Sequence, residues 1–461
     1  MLADRGGRGN RRGWIVTYLL TGLGTLVSRR RADGVLVHRP LDDPSGDTDA
    51  LDIGDVTAAV QVGLGHFLRD DDAALVFPLE HGPLAGWIAF RTEDRRSIGL
   101  LRDSKGLSVL SDSDGFQLVE HDDWPTTRFV PMSASDLSVL RGLTNERWLV
   151  GAGATAEAAS ILHGFLLRIG AMEIDLRWNL PFDTTDWPNR LTVSWDVWRV
   201  ERLFRYRPLI YFVAFGGATT MQQFAFAVES LTTVGAYDGE IVVVTDKSPA
   251  EIAAWFPAGM SDRLAVLPMH AADRVGYIAA RLSICDWRDA WQFQPLLYAD
   301  ADILFDRPVA PMLHAIARSD RICAAEEPWN LVDSEFVGSH LLAADNCQPA
   351  PDQKGFNAGT LGIPNMARHA GTLATIARTL RNRLAVVGRH TVQFVDQPIA
   401  NYVSFRVAQF DTALLGRFVR LANNDLGPEG RTGLVHFCWV ADAAERVAKM
   451  EDYLERLRAM G

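Results

Sequence analysis

The chain has few cysteines and no pattern among them. Cys285, Cys323, Cys347 and Cys438 stand far apart in 461 residues without a C-x-x-C spacing, which argues against a disulfide framework or a structural zinc site. Reduced thiols set the expectation of a cytoplasmic protein. Lysine is as scarce, at 105, 247, 354 and 449 only, so nearly all positive charge is arginine. A formal charge of −11 leaves no broadly basic surface and excludes a general nucleic-acid binder. Long hydrophobic runs are missing too. RRGWIVTYLLTGLGTLVSRRR (11–31) comes nearest, with about fifteen apolar residues where a spanning helix needs about 20. No small-residue cleavage site follows it. A buried or peripheral helix is expected there, with peripheral membrane contact as the alternative.

What is present is an ordinary globular composition, 48% apolar and 22% charged, on a chain long enough for two domains. The division is expected near 205/206. Residues 84–131 hold short β-like runs, LAGWIAFR, SIGLLRD, LSVLS, FQLVE and TRFVP, between turns such as EDRR, DSKG, DSDG and HDDWP. That pattern predicts an antiparallel, meander-like arrangement. TAEAASILHGFLLRI (155–169) places Ile161, Leu162, Phe165, Leu166 and Ile169 on one helical stripe, with Gly170 as its stop. Trp178, Trp187, Trp195 and Trp198 cluster further on; burial is expected over sugar stacking. No catalytic motif appears in this half, which reads as a β-rich α+β accessory domain, and the acidic turns are expected to be solvated turns.

From 206 the pattern becomes α/β. RPLIYFVAF (207–215), GEIVVVTD (239–246) and DRLAVLP (262–268) are continuous apolar runs, as in strands buried on both faces. A helix from about 221 carries Phe224, Val228 and Leu231 in register, and Ser248 with Glu251 forms a capping box around Pro249. Strand and helix in alternation predict a mostly parallel sheet with right-handed crossovers. Ligands in such sheets bind beyond the carboxyl ends of the strands, so the loops after 215, 246 and 302 should line one site. A last helix, about 441–459, turns Val447, Met450, Leu454 and Leu457 inward and is given no chemistry.

LLYADADILFDRPVAP (296–311) is a strand by composition that ends in two acids. On extended backbone Asp300 and Asp302, two residues apart, share one face; at a strand end both can converge on one point. Two uncompensated anions there are costly, and a divalent cation, Mn²⁺ or Mg²⁺, removes the cost. The bland alternative is a solvated turn. Three later segments add to the motif: KGFNAGTLGIP (354–364), with small residues that let backbone approach a ligand; QFVDQPIANYV (393–403), with Asp396 and Gln397 opening a helix; and GLVHFCW (433–439), a strand with His436 among apolar residues. A lone histidine of this kind is more often a core residue than a ligand.

Taken in order, these segments resemble the retaining glycosyltransferases of family 8, the glycogenin and lipopolysaccharide galactosyltransferase group, over about residues 207–440. The carriers are FVAFGG, GYIAARL, YADADILF, GFNAGTLGI, VDQ and VHF. The resemblance implies a GT-A fold, a Rossmann-like mixed sheet with helices on both faces. It implies a metal, usually manganese, held by Asp300, Asp302 and His436 against the diphosphate of a nucleotide-sugar donor. Ala214, Gly216, Arg281, Ala301, Ala358 and Gly359 would line that donor. Asn357 would lie along the sugar and acceptor, Asp396 would bind sugar hydroxyls, and Gln397 would sit beneath the anomeric carbon. The acceptor, a glycan, lipid or protein, is not implied.

Two departures stand out. The loop FGGATT (215–220) lacks the family's acidic and amide residues and the tyrosine that stacks on uracil, and Thr219 or Thr220 would have to supply contacts. After HFCW there is neither the usual glycine nor the lysine that grips the diphosphate, so the donor is gripped more weakly or arginines take that role. The alternatives are a catalytically silent relative that binds sugar nucleotides or acts as a scaffold, and a phosphohydrolase of the haloacid-dehalogenase type. Against the latter, Leu304 stands where that family has Thr or Val, and the motif follows a full βαβ unit. The insert 326–356, with Trp329 and Phe336, is an acceptor wall or lid or an ordinary surface excursion.

Overall fold

The structure, a computed structural model, describes residues 17–43, 46–51, 76–78, 88–91, 97–103, 105–120, 125–151, 153, 155–163, 165–176, 186–196, 199–257, 259, 263–388, 395–407, 410–422 and 427–460. The chain divides into two compact units, Met1–Leu203 and Phe204–Gly461. No helix among the described residues is long and apolar enough to cross a membrane.

Among the described residues, the first unit is built from antiparallel strands around one α-helix, Ala134–Asn145. The five β-like runs of 84–131 appear as the strands Ile88–Arg91, Ile98–Arg102, Lys105–Val109, Phe116–Glu120 and Phe129–Ser133. The meander does not run on to its end, because Phe129–Ser133 returns to pair with Thr17–Thr21 and, through Phe129, with Ile98. A six-stranded sheet follows, built from residues 147–205. Asp114 of the DSDG turn is paired with Arg39 and Arg30, at 3.1 and 3.6 Å. HDDW falls outside the described residues, as do Trp178 and the side chains at 195 and 198; Trp187 stacks on Trp148 with centroids 6.0 Å apart.

Two expected helices are strands. Within 11–31, Thr17–Thr21 and Leu26–Arg30 form a hairpin, turned at Gly24 with φ +77°. Leu19 and Val27 join one buried cluster and Leu20 and Leu26 another. A strand covered on both faces is apolar at every position, and that run imitates a helix. The hairpin also removes the basis for membrane contact through a helix in this segment. Residues 155–169 are likewise a hairpin, Ala156–Leu162 with Leu166–Ile169, and His163 takes φ +50° in its turn. Buried Ala159 opposes buried Ile169, and exposed Ser160 opposes exposed Arg168. Period two, rather than 3.6, orders the segment. Gly170, with φ +60°, turns the chain into Met172–Asp175.

In the second unit, strands and helices are numbered from its start. The main sheet has the order β3-β2-β1-β4-β7-β6, with β1 Leu209–Val213, β2 Glu240–Thr245, β3 Leu264–Pro268, β4 Leu296–Asp300, β6 Cys323–Asn330 and β7 Lys354–Ile363. The first four are parallel, and β7 runs antiparallel to both of its neighbours, β4 and β6. This is the mixed, Rossmann-like sheet that the resemblance implied. Successive residues serve opposite faces, as strand geometry requires. Tyr211, Val242 and Tyr298 pack with Leu373 and Ile376 of the long helix Met366–Val387, whereas Phe212 meets Phe224 of α1 (Ala218–Thr233) edge to face at 5.4 Å. The capping box at Ser248 is present, each partner bonding the other's backbone.

A second, small sheet of β5 (Ile303–Phe305), β8 (Val419–Leu421) and β9 (Leu434–His436) runs in the order β5-β9-β8. The last helix, Ala443–Met460, covers it with Met450, Tyr453, Leu454 and Leu457. Asp306, fully buried, ties this sheet down: its carboxylate accepts from Arg420 Nη2 at 2.6 Å, Tyr453 Oη at 3.0 Å and Gly433 N–H at 2.9 Å.

Candidate active site and metal centre

Strand order reverses between β1 and β4, with β2 and β3 on one side of β1 and β4 on the other. At such a switch point the carboxyl ends of two neighbouring parallel strands leave a crevice for ligand. Val213 and Asp300, paired in register, mark those ends. Beyond Asp300, a turn through Ala301 and Asp302 leads into β5 and draws the two carboxylates to one point. β5 pairs with β9 so that Ile303 opposes His436, and Phe437 N–H donates to Asp302 O at 3.0 Å. His436 Nε2 then lies 3.1 Å from Asp302 Oδ1 and 3.6 Å from Asp300 Oδ2. One ligand atom from each of the three residues lies within 4.8 Å of the others.

The histidine is both buried, at 2% exposure, and turned toward the acids. Burial by itself would lower its pKa; Cys438 and Asp302 outweigh that and raise it well above the ordinary imidazole value. Burial by itself would raise Asp302; His436 and then Arg446 bring it down to about 2. Gly359 of β7 completes the pocket. A Cβ there would stand 2.2 Å from His436 Cε1 and 2.5 Å from Asp300 Oδ2, so only glycine leaves room. Two carboxylates and one imidazole around a space kept clear by glycine fit a divalent cation of the Mn²⁺ or Mg²⁺ kind.

Arg281 organises the floor. Its guanidinium sits 3.0 Å from Asp396 Oδ2 and 3.4 Å from Asp300 Oδ1, donates to Ala358 O at 2.6 Å, and lies over the Tyr298 ring, 4.9 Å from the centroid. A cation 8% exposed persists only when paired in this way. Burial pushes the Asp396 pKa up, opposed by Arg281 and reinforced by Asp300. Tyr298 Oη donates to Asp300 Oδ1 from two residues back on the same strand face. The arms of Arg281 are thus engaged within the protein, holding Asp300, Asp396 and Ala358 together.

The third group lies on β7 and α7 (Gln397–Val407). Gln397 Oε1 accepts from Ala358 N–H at 3.1 Å, so its carbonyl oxygen is committed to backbone. Asn357 Nδ2 donates to Glu327 Oε1 at 2.7 Å, and Asn357 Oδ1 accepts from Gly359 N–H at 2.8 Å. Asn401 fastens the helix to the strand, with bonds of 2.9 Å to Phe356 N and O. Gln397 Nε2 is 3.5 Å from both Glu327 Oε1 and Phe336 O, which brings the 326–356 insert to the site. The Phe336 ring in turn stacks on Trp439, centroids 5.6 Å apart.

The structure therefore joins Asp300, Asp302, His436, Arg281, Asp396, Asn357, Ala358, Gly359 and Gln397 in one network, with Ala301 in the turn. Ala214 and Gly216 follow β1, whose last residue, Val213, is paired with Asp300. Ala214 is buried and hydrogen-bonded to Val244, and Gly216 takes φ +99°, a conformation that favours glycine. Phe215, the first residue of the 215–220 loop, stacks face to face on Tyr277 at 4.9 Å.

Glu327 and Arg446 escaped the sequence reading. Glu327 is 1% exposed, its Oε2 has no hydrogen-bond partner among the described residues, and burial raises its pKa. Its signal was the pair Glu326-Glu327 in an apolar strand, where alternation must turn one carboxylate inward. Arg446 donates from Nη1 to Asp302 Oδ2 at 2.8 Å, so the last helix does carry a site residue and the expectation of none is corrected. Its signal was a cation in the first turn of a helix, against the macrodipole.

No protein-family model matches the chain, and no curated protein does either. Solved structures to which it is similar are glycosyltransferases. The galactosyltransferase LgtC, in complex with donor and acceptor sugar analogs, is 15% identical with a TM-score of 0.39, over 55% of this chain and 95% of its own. Mouse xyloside xylosyltransferase 1 is 12% identical with a TM-score of 0.36, over 50% and 97%. The glycosyltransferase GlyE of Streptococcus pneumoniae TIGR4 is 16% identical with a TM-score of 0.34, over 55% and 64%.

Proposed function

We propose that the second unit is a metal-dependent, family 8-like glycosyltransferase that moves a hexose from a nucleotide sugar, UDP-linked in this reading, to an acceptor with retention of anomeric configuration. The observation that carries it is the convergence of Asp300, Asp302 and His436 at the switch point of the sheet, around the space that Gly359 leaves. Those three residues would hold Mn²⁺ or Mg²⁺, which supplies a Lewis acid to neutralise the departing diphosphate. Arg281 keeps Asp300 and Asp396 in place, so the ligand and the sugar-binding carboxylate share one support. Asn357 and Gln397 are oriented through Glu327 and Ala358 before any substrate arrives, which lowers the reorganisation that reaction demands. As an amide with its oxygen occupied, Gln397 is no nucleophile. Glu327 is the carboxylate placed to offset positive charge that develops at the sugar. Same-face attack, guided by the leaving diphosphate, is the course this reading gives to transfer with retention. The stacked Phe336–Trp439 pair beside Gln397 is where we place the acceptor, a glycan, lipid or protein.

The test is incubation with UDP- and GDP-sugars and Mn²⁺, following release of the nucleoside diphosphate. Release that stops with chelator and in Asp302→Ala supports the assignment. Saturable sugar-nucleotide binding without release, across an acceptor panel, would make the protein a silent relative instead.

A further inference from the structure

Arg446 is paired with Asp302, one of the three residues that would hold the metal. Each oxygen of that carboxylate already has a partner, His436 Nε2 on Oδ1 at 3.1 Å and Arg446 Nη1 on Oδ2 at 2.8 Å. The guanidinium does not depend on this pair for its position. Its Nε donates to Val440 O at 3.0 Å and Nη2 donates to the same oxygen, so two arms are fixed by backbone and one is offered to the acid. The side chain keeps 22% exposure, enough to reach a solvent-side ligand. Asp442 begins the helix by accepting from Ala444 and Glu445 N–H. Arg446 therefore projects from a well-capped turn rather than from a frayed end.

We propose that Arg446 is the resident counter-ion of Asp302, competing with the divalent cation for that carboxylate and holding the site's metal affinity below what its three ligands would otherwise give. The proposal rests on reading Asp300, Asp302 and His436 as a cation site. A fixed positive charge beside a dication repels it, and the repulsion is screened less than at a surface because Asp302 and His436 are buried. Two consequences follow from the same geometry. Removing the charge must tighten metal binding, which loss of a merely structural salt bridge would not do. An anion that arrives with the metal gives Arg446 a new partner and so relieves the competition.

Binding of Mn²⁺ alone is measured by the electron paramagnetic resonance of the free ion, for wild type, Arg446→Met, Arg446→Ala, Arg446→Lys and Asp302→Asn. Arg446→Met keeps the aliphatic stem in case the alanine variant does not fold. Expected are Mn²⁺ affinities about tenfold tighter in Arg446→Met and Arg446→Ala, with Arg446→Lys near wild type. UDP should raise Mn²⁺ affinity in wild type more than in Arg446→Met. Unchanged or weaker Mn²⁺ binding in folded Arg446→Met overturns the proposal while the cation site stands, provided Asp302→Asn abolishes binding. Absence of saturable Mn²⁺ binding in wild type and Arg446→Met alike overturns both.

Discussion

Gly359→Ala adds one methyl group at the most crowded point of the site, and its effect follows from distances. The new Cβ would lie 2.2 Å from His436 Cε1, 2.5 Å from Asp300 Oδ2 and 2.9 Å from Asn357 Oδ1. Ordinary contact begins near 3.4 Å, so relief at the imidazole alone requires about 1.2 Å of movement, the difference 3.4 − 2.2. His436 cannot make that movement cheaply. It is paired in a ladder with Ile303, and its neighbours Val435 and Phe437 are buried. Metal sites tolerate departures of about 0.2 Å in ligand distance, several times less than the shift imposed. Overpacking should cost about 1–3 kcal/mol of stability, a modest fall in Tm. Loss of a ligand should cost more than the 10–100-fold typical of disturbing a ligand's supporting contacts, so Mn²⁺ affinity should drop by about 100-fold or more. Thermal unfolding paired with Mn²⁺ titration separates the two effects. A variant that binds Mn²⁺ as wild type does, at unchanged Tm, would show that the glycine is not needed for space and that the cluster is not the metal site.

Three further outcomes can be checked. Glu327→Gln removes a buried carboxylate whose pKa burial raises; such a group costs stability once pH exceeds its unfolded value, so Tm at neutral pH should rise while sugar transfer falls, and a lower Tm would contradict the assignment of strain to this residue. Asp306→Ala leaves Arg420 largely buried without its carboxylate and should destabilise the protein by about 3–5 kcal/mol in chemical denaturation, against little change for an exposed pair such as Arg368–Asp320. His436, raised when folded, contributes stability fully present below its unfolded pKa of about 6.5 and lost as pH climbs through the folded value. Metal-free Tm should therefore decline over that range. With Mn²⁺ present it should decline less or rise, because the ligand must be a neutral imidazole; parallel curves would count against His436 as a ligand.

The second unit was far more legible than the first. Its parallel strands are buried on both faces and separated by helices, so apolar runs and capping residues mark their limits, as at Ser248 and Pro249. In the first unit the same two-faced burial misled, because Leu19 and Leu20 face different cores and a hairpin there carries no polar alternation. Asp300 and Asp302 were visible because acids at the end of a buried strand need a reason. His436 could be found only through its order after them, since a single buried histidine has no local signature. Glu327 and Arg446 act through partners 30 and 144 residues away, Asn357 and Asp302, and such pairings are set by tertiary packing rather than by spacing.

The small sheet gives the site a durable frame. Asp302 and His436 flank a single pair of hydrogen-bonded strands, and Asp306 clamps the far end through Gly433, 127 residues further along the chain. That interval includes Phe336, whose carbonyl lies 3.5 Å from Gln397 Nε2. The loops there can lengthen, shorten or change character without altering the spacing between Asp302 and His436. A chain built this way can vary the surface around the cluster by drift while the cluster itself stays put.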